Sequence, residues 1–452
     1  MNFALRPRPV LAAVTLLAIL ASAGCQENLS GGAACPQICP EQQLVIKDTT
    51  FVSRDLFDTA VTVPGIPALG TEPQVLVSDF VQSGGHIRTF GVFRFDTLQR
   101  FYLPPDTTKP PVPFVRIDSS SLFFSVLVAP SGQDTLFVND SVTFLLYDVD
   151  VNATDFDTAA THARFNTPAI AGIKVSKDSV LGHQIKIPID TGFVANHVRS
   201  GQRIRLGVRA FSNKNVKLNV LSQEGASLTT IASATTLRYF GYTPPGPDSV
   251  KVFISNTTRS GATVGPRVPA LGDYTLVDIG SPPAPAGLLS AGGIPASRIF
   301  LRFKLPPSLV DSSTTIVLAN LELHQAPDSE YLDNTDSLTI TPRVVVASPL
   351  TTDLNQASVL LGDPTVFILR TVSTGPEKSG LVTVPLAAQS GALITYWRAE
   401  GPNAVQRAVV LQSTPESTDP RQLRFYGPDA QPDSLQPRMR VVYIPRSGFG
   451  LP

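Results

Sequence analysis

The sequence predicts an all-β chain built as two tandem β-sandwich domains. Three observations predict it. Proline supplies 40 of the 452 residues, about 9% against a usual ~5%, so few windows are long enough for an uninterrupted helix. From Leu44 onward, short runs rich in Val, Ile, Phe and Thr alternate with clusters of Pro, Gly, Asp and Ser, the pattern of strands and turns. The third observation is that the two halves echo each other. Apolar residues make up 42% of the chain, which excludes a disordered polyelectrolyte. The 36 basic and 36 acidic side chains cancel, removing the electrostatic footprint of nucleic-acid binding, so no nucleic-acid partner is expected.

At the N-terminus, Arg6 and Arg8 precede a charge-free run from Val10 to Ala23. As a helix this run covers about 21 Å, short of the roughly 30 Å of hydrocarbon that a spanning segment must cross, and it reads as the apolar core of a signal peptide over 1–24. The ending Ala21-Ser22-Ala23-Gly24-Cys25 resembles the lipobox of bacterial lipoprotein precursors. That resemblance implies acylation of Cys25, with Gln26 in place of an inner-membrane retention aspartate, and hence an outer-membrane lipoprotein whose partner is the membrane itself. Several acyl chains hold a protein firmly where one holds it only marginally. Ordinary signal-peptidase cleavage nearby is the other reading. Residues 25–43, rich in Gly, Ala, Ser, Pro and Gln, suit a flexible tether. Within it Cys35 and Cys39 form an even pair in an oxidising compartment, a disulfide candidate or two free thiols. Neither zinc nor redox chemistry is indicated, since further ligands and the two-residue thiol spacing are both missing.

In the body, Ile299, Leu301, Phe303 and Leu305 alternate with Phe300, Arg302 and Lys304, the period of a half-buried strand. Similar strands are expected at Val142 to Val149, Ile185 to Ile189, Arg203 to Val208, Val216 to Leu221 and Met439 to Ile444. The internal echo is ordered. Ile66-Pro67-Ala68-Leu69-Gly70 recurs as Val268-Pro269-Ala270-Leu271-Gly272, Phe93-Arg94-Phe95 as Leu301-Arg302-Phe303, and Ile187-Pro188-Ile189 as Val384-Pro385-Leu386. Ile117 to Leu122 matches Ile316 to Leu321, Asp140 to Thr143 matches Asp336 to Thr339, and Leu237-Arg238 matches Met439-Arg440. The offsets stay near 200 residues, which marks a tandem domain array and is far too long for a solenoid repeat. The proline-rich segment 244–247 is the expected linker, between domains at 44–243 and 248–447. Each is large enough to bury a core of its own.

Leu301-Arg302-Phe303, then Ile316-Val317-Leu318-Ala319-Asn320-Leu321-Glu322-Leu323, then Arg440-Val441-Val442-Tyr443 resemble the DNRLRE-type domains of bacterial surface proteins, which are grouped with carbohydrate-binding modules. Domain one shows the same order in Phe93-Arg94-Phe95 and Ile117 to Phe124, with Ser120 at the alanine position. The resemblance implies a jelly-roll-like β-sandwich in each half, and strand count and turn spacing agree with a sandwich. The name-giving motif and the tryptophans that follow the middle strands in that family do not occur here.

The densest polar cluster holds Asp148, Asp150, Asn152, Asp155 and Asp157. Carboxylates at alternate positions converge on a hard cation, which makes calcium the candidate cofactor; a solvated strand end and turn is the alternative. For stacking on a sugar face the candidates are Tyr396, Trp397 and Arg398. Adjacent strand residues face opposite ways, so one of the two rings is expected in the core. Tyr239-Phe240-Gly241-Tyr242 and Phe425-Tyr426-Gly427 are further aromatic runs. Arg94 and Arg302 read as structural, paired across a sheet or laid over apolar surface. The five histidines are scattered and no catalytic motif appears. The leading expectation is therefore a non-catalytic, lipid-anchored envelope protein binding or organising glycan. Its alternatives are a structural or protein-binding surface lipoprotein, and a polysaccharide-degrading enzyme, since two carboxylates from distant residues suffice for glycoside hydrolysis.

Overall fold

The computed structural model describes residues 46–66, 73–82, 85–96, 98–127, 141–151, 158–180, 182–212, 216–226, 235–258, 272–310, 314–328, 337–363, 367, 369–388, 391–400, 405–414, 416 and 419–445. The chain starts with β1 (Lys47–Val52) and β2 (Phe57–Ile66). There follow β3 (Gln74–Gln82), β4 (Gly85–Phe95), β5 (Phe101–Tyr102), β6 (Val112–Pro113), β7 (Arg116–Ser125), β8 (Ser141–Asp148), β9 (Ala171–Ser176), β10 (Gln184–Pro188), β11 (Ile204–Phe211), β12 (Val216–Leu221), β13 (Thr236–Tyr242), β14 (Lys251–Thr257) and β15 (Asp273–Ile279). The rest is β16 (Leu288–Gly292), β17 (Ala296–Phe303), β18 (Thr314–Ala326), β19 (Leu338–Val344), β20 (Val372–Thr374), β21 (Gly380–Pro385), β22 (Ala387–Ala388), β23 (Gly391–Ala392), β24 (Ala408–Thr414), β25 (Gln422–Tyr426) and β26 (Arg438–Pro445). The all-β expectation is met, with antiparallel pairing throughout the named ladders.

Two sheet pairs repeat one plan. In the first, the sheet β10-β7-β13-β14 faces a larger sheet containing β15-β4-β11-β8-β9, with β3 and β12 attached. Leu122, Phe124, Ile187, Leu237, Tyr239 and Ile254 from the smaller sheet meet Phe93, Phe95, Phe144, Leu206 and Val208 from the larger one in a single core. In the second, β21-β18-β26-β1 occupies the place of the four-stranded sheet and β2-β17-β24-β19-β20 that of the larger one, and β25 and β16 join the two into one continuous eleven-stranded sheet. Its core joins Leu321, Leu323, Met439 and Val441 to Leu301, Leu411, Ile340 and Leu56. The period-2 alternation in the sequence drives this packing. In β18, Ala319, Leu321 and Leu323 are fully buried while Asn320, Glu322 and His324 face outward.

The pairing does not follow the expected seam. Pro244-Pro245-Gly246-Pro247 forms the turn of the β13–β14 hairpin, closed by Thr243 N–H to Val250 O at 3.1 Å and Val250 N–H to Thr243 Oγ1 at 2.8 Å. Thus β14 and β15, from the sequence beyond the seam, complete the first sandwich by pairing with β13 and β4. Conversely β1 and β2, the first of the described strands, complete the second by pairing with β26 and β17. Ser53 Oγ donates to Pro437 O and Lys304 N–H to Leu56 O, fixing this closure at its turn.

The outer faces of the two larger sheets are covered. The helix Thr158–Arg164 lies beside a satellite core of Phe90, Tyr147, Phe165, Tyr274 and Leu276. The helix Leu354–Val359 lies beside another formed by Val63, Phe300, Ala357 and Val410. The four-stranded sheet β10-β7-β13-β14 is different, and its outer face carries the candidate site.

Candidate functional site

On β13 the inward residues Leu237 and Tyr239 are buried, so Arg238, Phe240 and Tyr242 project from the opposite side. The neighbouring strands present residues to the same side. Phe253 lies opposite Phe240 and Lys251 opposite Tyr242 on β14, while Arg116 lies opposite Tyr242 on β7. On the far edge Lys186 of β10 lies opposite Phe123 of β7. A bulge makes this possible. Ser119 has φ 51 and the β7–β13 register shifts there; without the extra residue Arg116 and Phe123 would point to opposite faces.

The result is a sheet face on which four rings and four cations interleave. The Arg116 guanidinium lies 4.0 Å from the Tyr242 ring centroid, Arg238 lies 4.1 Å from Phe123, and Lys251 Nζ lies 4.2 Å from Phe240. Lys186 Nζ is 5.9 Å from Phe123, and the Phe240 and Phe253 rings are 5.4 Å apart. Phe253 is 57% exposed, so a large ring is left to solvent beside the cations. Each cation–ring contact contributes about 0.5–1 kcal/mol at an exposed site. That orders the cation without neutralising it. Among the described residues, none of the four cations forms an ion pair; Asp118, on the same face, accepts the Ser119 N–H instead.

The matching face of the second sandwich is built otherwise. Arg440, the counterpart of Arg238 in the sequence echo, holds Asp48 in a fork with contacts of 2.6 and 3.1 Å, and Arg438 holds Glu322 at 2.7 Å. The Arg440 hydrogen bond keeps the Asp48 carboxyl below its usual range, and burial, with Arg438 beside it, pushes His324 down. Here the positive charge is already matched.

The residues singled out in the sequence have other places. Tyr396, Trp397 and Arg398 lie in the helix Leu393–Glu400 and not on a strand. Trp397 is 1% exposed, with its ring 5.4 Å from Phe303, and Tyr396 packs on Phe367. Arg398 donates to Leu309 O and Thr314 O at 2.6 Å each. In this arrangement the indole has no face to offer a sugar. Trp397→Ala is expected to cost about 3–5 kcal/mol of stability, read from denaturant midpoints, while leaving ligand affinity of the folded protein unchanged.

In the acidic cluster, Asp150 is engaged by Arg203 in a fork of 2.9–3.2 Å, and Asp148 accepts the Asp150 N–H. Asn152, Asp155 and Asp157 lie outside the described residues, as do Cys25, Cys35 and Cys39. Among the described residues, no group of three or more His, Cys, Asp or Glu side chains is placed to hold a metal ion, and no helix is long and apolar enough to cross a membrane. Arg94 pairs with Asp96, and Arg302 donates to Gln406 Oε1 at 2.9 Å while lying over Phe300.

A second polar cluster fastens the helix Thr158–Arg164. His86 Nε2 lies 2.6 Å from Asp79, Arg88 bridges Asp79 and Asp278 at 3.2 Å each, and His162 Nε2 lies 2.7 Å from Asp278. Its charges are mutually satisfied, so it reads as a clasp between β3, β4, β15 and that helix.

Comparison with known proteins adds little. No protein-family model matches the chain, and no curated protein matches it. Among solved structures, the M60 catalytic domain with the CBM51-1 and CBM51-2 domains from Clostridium perfringens ZmpB aligns at 6% identity and a TM-score of 0.14, covering 87% of this chain. The chain spans 38% of that structure's length, and a likeness at this TM-score carries no argument.

Proposed function

We propose that this protein is a non-catalytic, lipid-anchored envelope protein that binds acidic glycan on the outer face of the β10-β7-β13-β14 sheet. The observation that carries the reading is the set of four cations ordered over rings and, among the described residues, unmatched by carboxylates. Rings offer apolar surface to the C–H face of a sugar, and arginine forks match anionic groups with paired hydrogen bonds. Support for the anchor comes from the Cys25 lipobox resemblance, and mass spectrometry of the membrane fraction for an acylated Cys25 peptide tests it.

Isothermal titration of the unlipidated mature chain tests the binding, with dextran sulfate as the acidic glycan and dextran as its neutral counterpart. Saturable, salt-sensitive binding of the first and weak or no binding of the second is expected. Rings and cations also suit single-stranded nucleic acid. Tighter binding of a single-stranded oligonucleotide than of dextran sulfate would overturn the glycan assignment.

A further inference from the structure

The two sandwiches share a plan, yet their outer faces differ at matched positions. Thr236 and Arg438 are equivalent by the 202-residue offset that also relates Arg238 to Arg440. Thr236 pairs with Phe123, and Arg438 pairs with Glu322. Likewise Phe240 pairs with Phe253, and its counterpart Val442 pairs with Asp48. Two rings of the first face are therefore carboxylates in the second. They are the same two carboxylates that hold Arg438 and Arg440.

We infer that the chain carries one acidic-glycan site where its duplication suggests two, and that Glu322 and Asp48 are the residues that close the second face. This rests on the glycan reading of the first face. The physical reasoning is that a side-chain carboxylate tethered beside an arginine competes with any incoming anion at high effective concentration. It also places negative charge where the ligand's own charge must come. In the first face the equivalent arginine lies over Phe123 and donates from Nε to Thr236 Oγ1 at 3.0 Å, which orders the guanidinium and leaves its two terminal nitrogens to a ligand. Exchanging ring for acid at these two positions, with Thr315 and Thr383 standing where the first face has Arg116 and Lys186, changes the face from one that receives an anion to one that contains it.

Titration with dextran sulfate oligomers short enough to occupy one face, read as stoichiometry, tests this in both directions. The natural chain is expected to bind one oligomer. D48F/E322F, which installs two of the first face's four rings and frees two arginines, is expected to show a second, weaker binding event. F253D, at an exposed position, and F123E/F253D are expected to lower affinity by about tenfold or more at the first face, because the new acids pair with its cations. Thermal melting of each variant checks that it is folded, and F253D keeps the test open if Phe123 proves necessary for stability.

Two binding events in the natural chain, or no second event in folded D48F/E322F, would overturn the inference while leaving the glycan reading intact. Unchanged affinity in F253D would also count against it. No binding by the natural chain would overturn the glycan reading itself.

Discussion

Cutting the chain at its proline seam is expected to give two fragments that do not fold, whereas 73–279 alone folds. The fragment 44–243 lacks β14 and β15, so the edges of β13 and β4 that they cover lose their ladders. It also loses buried Ile254, Tyr274 and Leu276. The fragment 248–447 lacks β1 and β2, and with them buried Leu56 and Val63 and the packing of Phe51 and Phe57 on the core. Each fully buried large apolar side chain contributes about 1.5–3 kcal/mol, and a whole domain is stable by only about 5–15 kcal/mol. Losing two or three such side chains together with two strands consumes that margin. The segment 73–279 contains every strand of the first sandwich, as does 288–445 followed by 46–66 for the second. Amide spectra and urea titrations check this: dispersed spectra and cooperative unfolding are expected only for the latter pair. Cooperative unfolding of both seam-cut fragments would refute the pairing scheme.

Reversing charge on the ring-and-cation face is expected to abolish binding without unfolding the protein. In R116E/R238E/K251E the three substituted cations sit over rings on a solvent-facing sheet, and none is in the core. The stability change should stay within about 1.5–3 kcal/mol, the sum of three modest cation–ring contacts. Affinity is another matter. Each reversal replaces an attractive charge with a repulsive one, and at about 1–2 kcal/mol per site three of them reduce binding by more than a hundredfold. The remaining affinity should also depend less on salt. This profile is the opposite of that expected for Trp397→Ala, where stability falls and affinity stays. A triple variant that binds dextran sulfate as the natural chain does would remove the face from consideration.

The fold class was legible because apolar alternation and turn residues are local signals. The duplication was legible because six matches recur at a nearly constant offset. Its phase was not legible, and the reason is geometric: a period of about 200 residues is the same wherever the unit is taken to begin. The prolines at 244–247 then marked a tight hairpin turn, which favours proline as much as a linker does. The site was half legible. Tyr239-Phe240-Gly241-Tyr242 is a secondary aromatic run in the sequence, behind Tyr396 and Trp397, and Phe123 and Arg238 meet only across a ladder between distant strands. Around Trp397 the wrong period was read. Leu393, Ile394 and Trp397 are spaced as one helical face, which puts the indole in the core.

The closure of the second sandwich by the chain's own beginning also sets an order of events. Lys47 pairs with Tyr443 and Val52 with Arg438, so the first of the described strands to be synthesised finds its partner last. During synthesis the first sandwich has all its strands as soon as Ile279 has been added. β2 can pair once β17 has been made, whereas β1 must wait, its edge unpaired, until β26 arrives. Contacts of such long sequence separation form slowly, and a waiting strand edge is open to pairing with a neighbouring chain. Crowding of nascent copies, more than any weakness of the finished structure, is where this architecture is most exposed to misassembly.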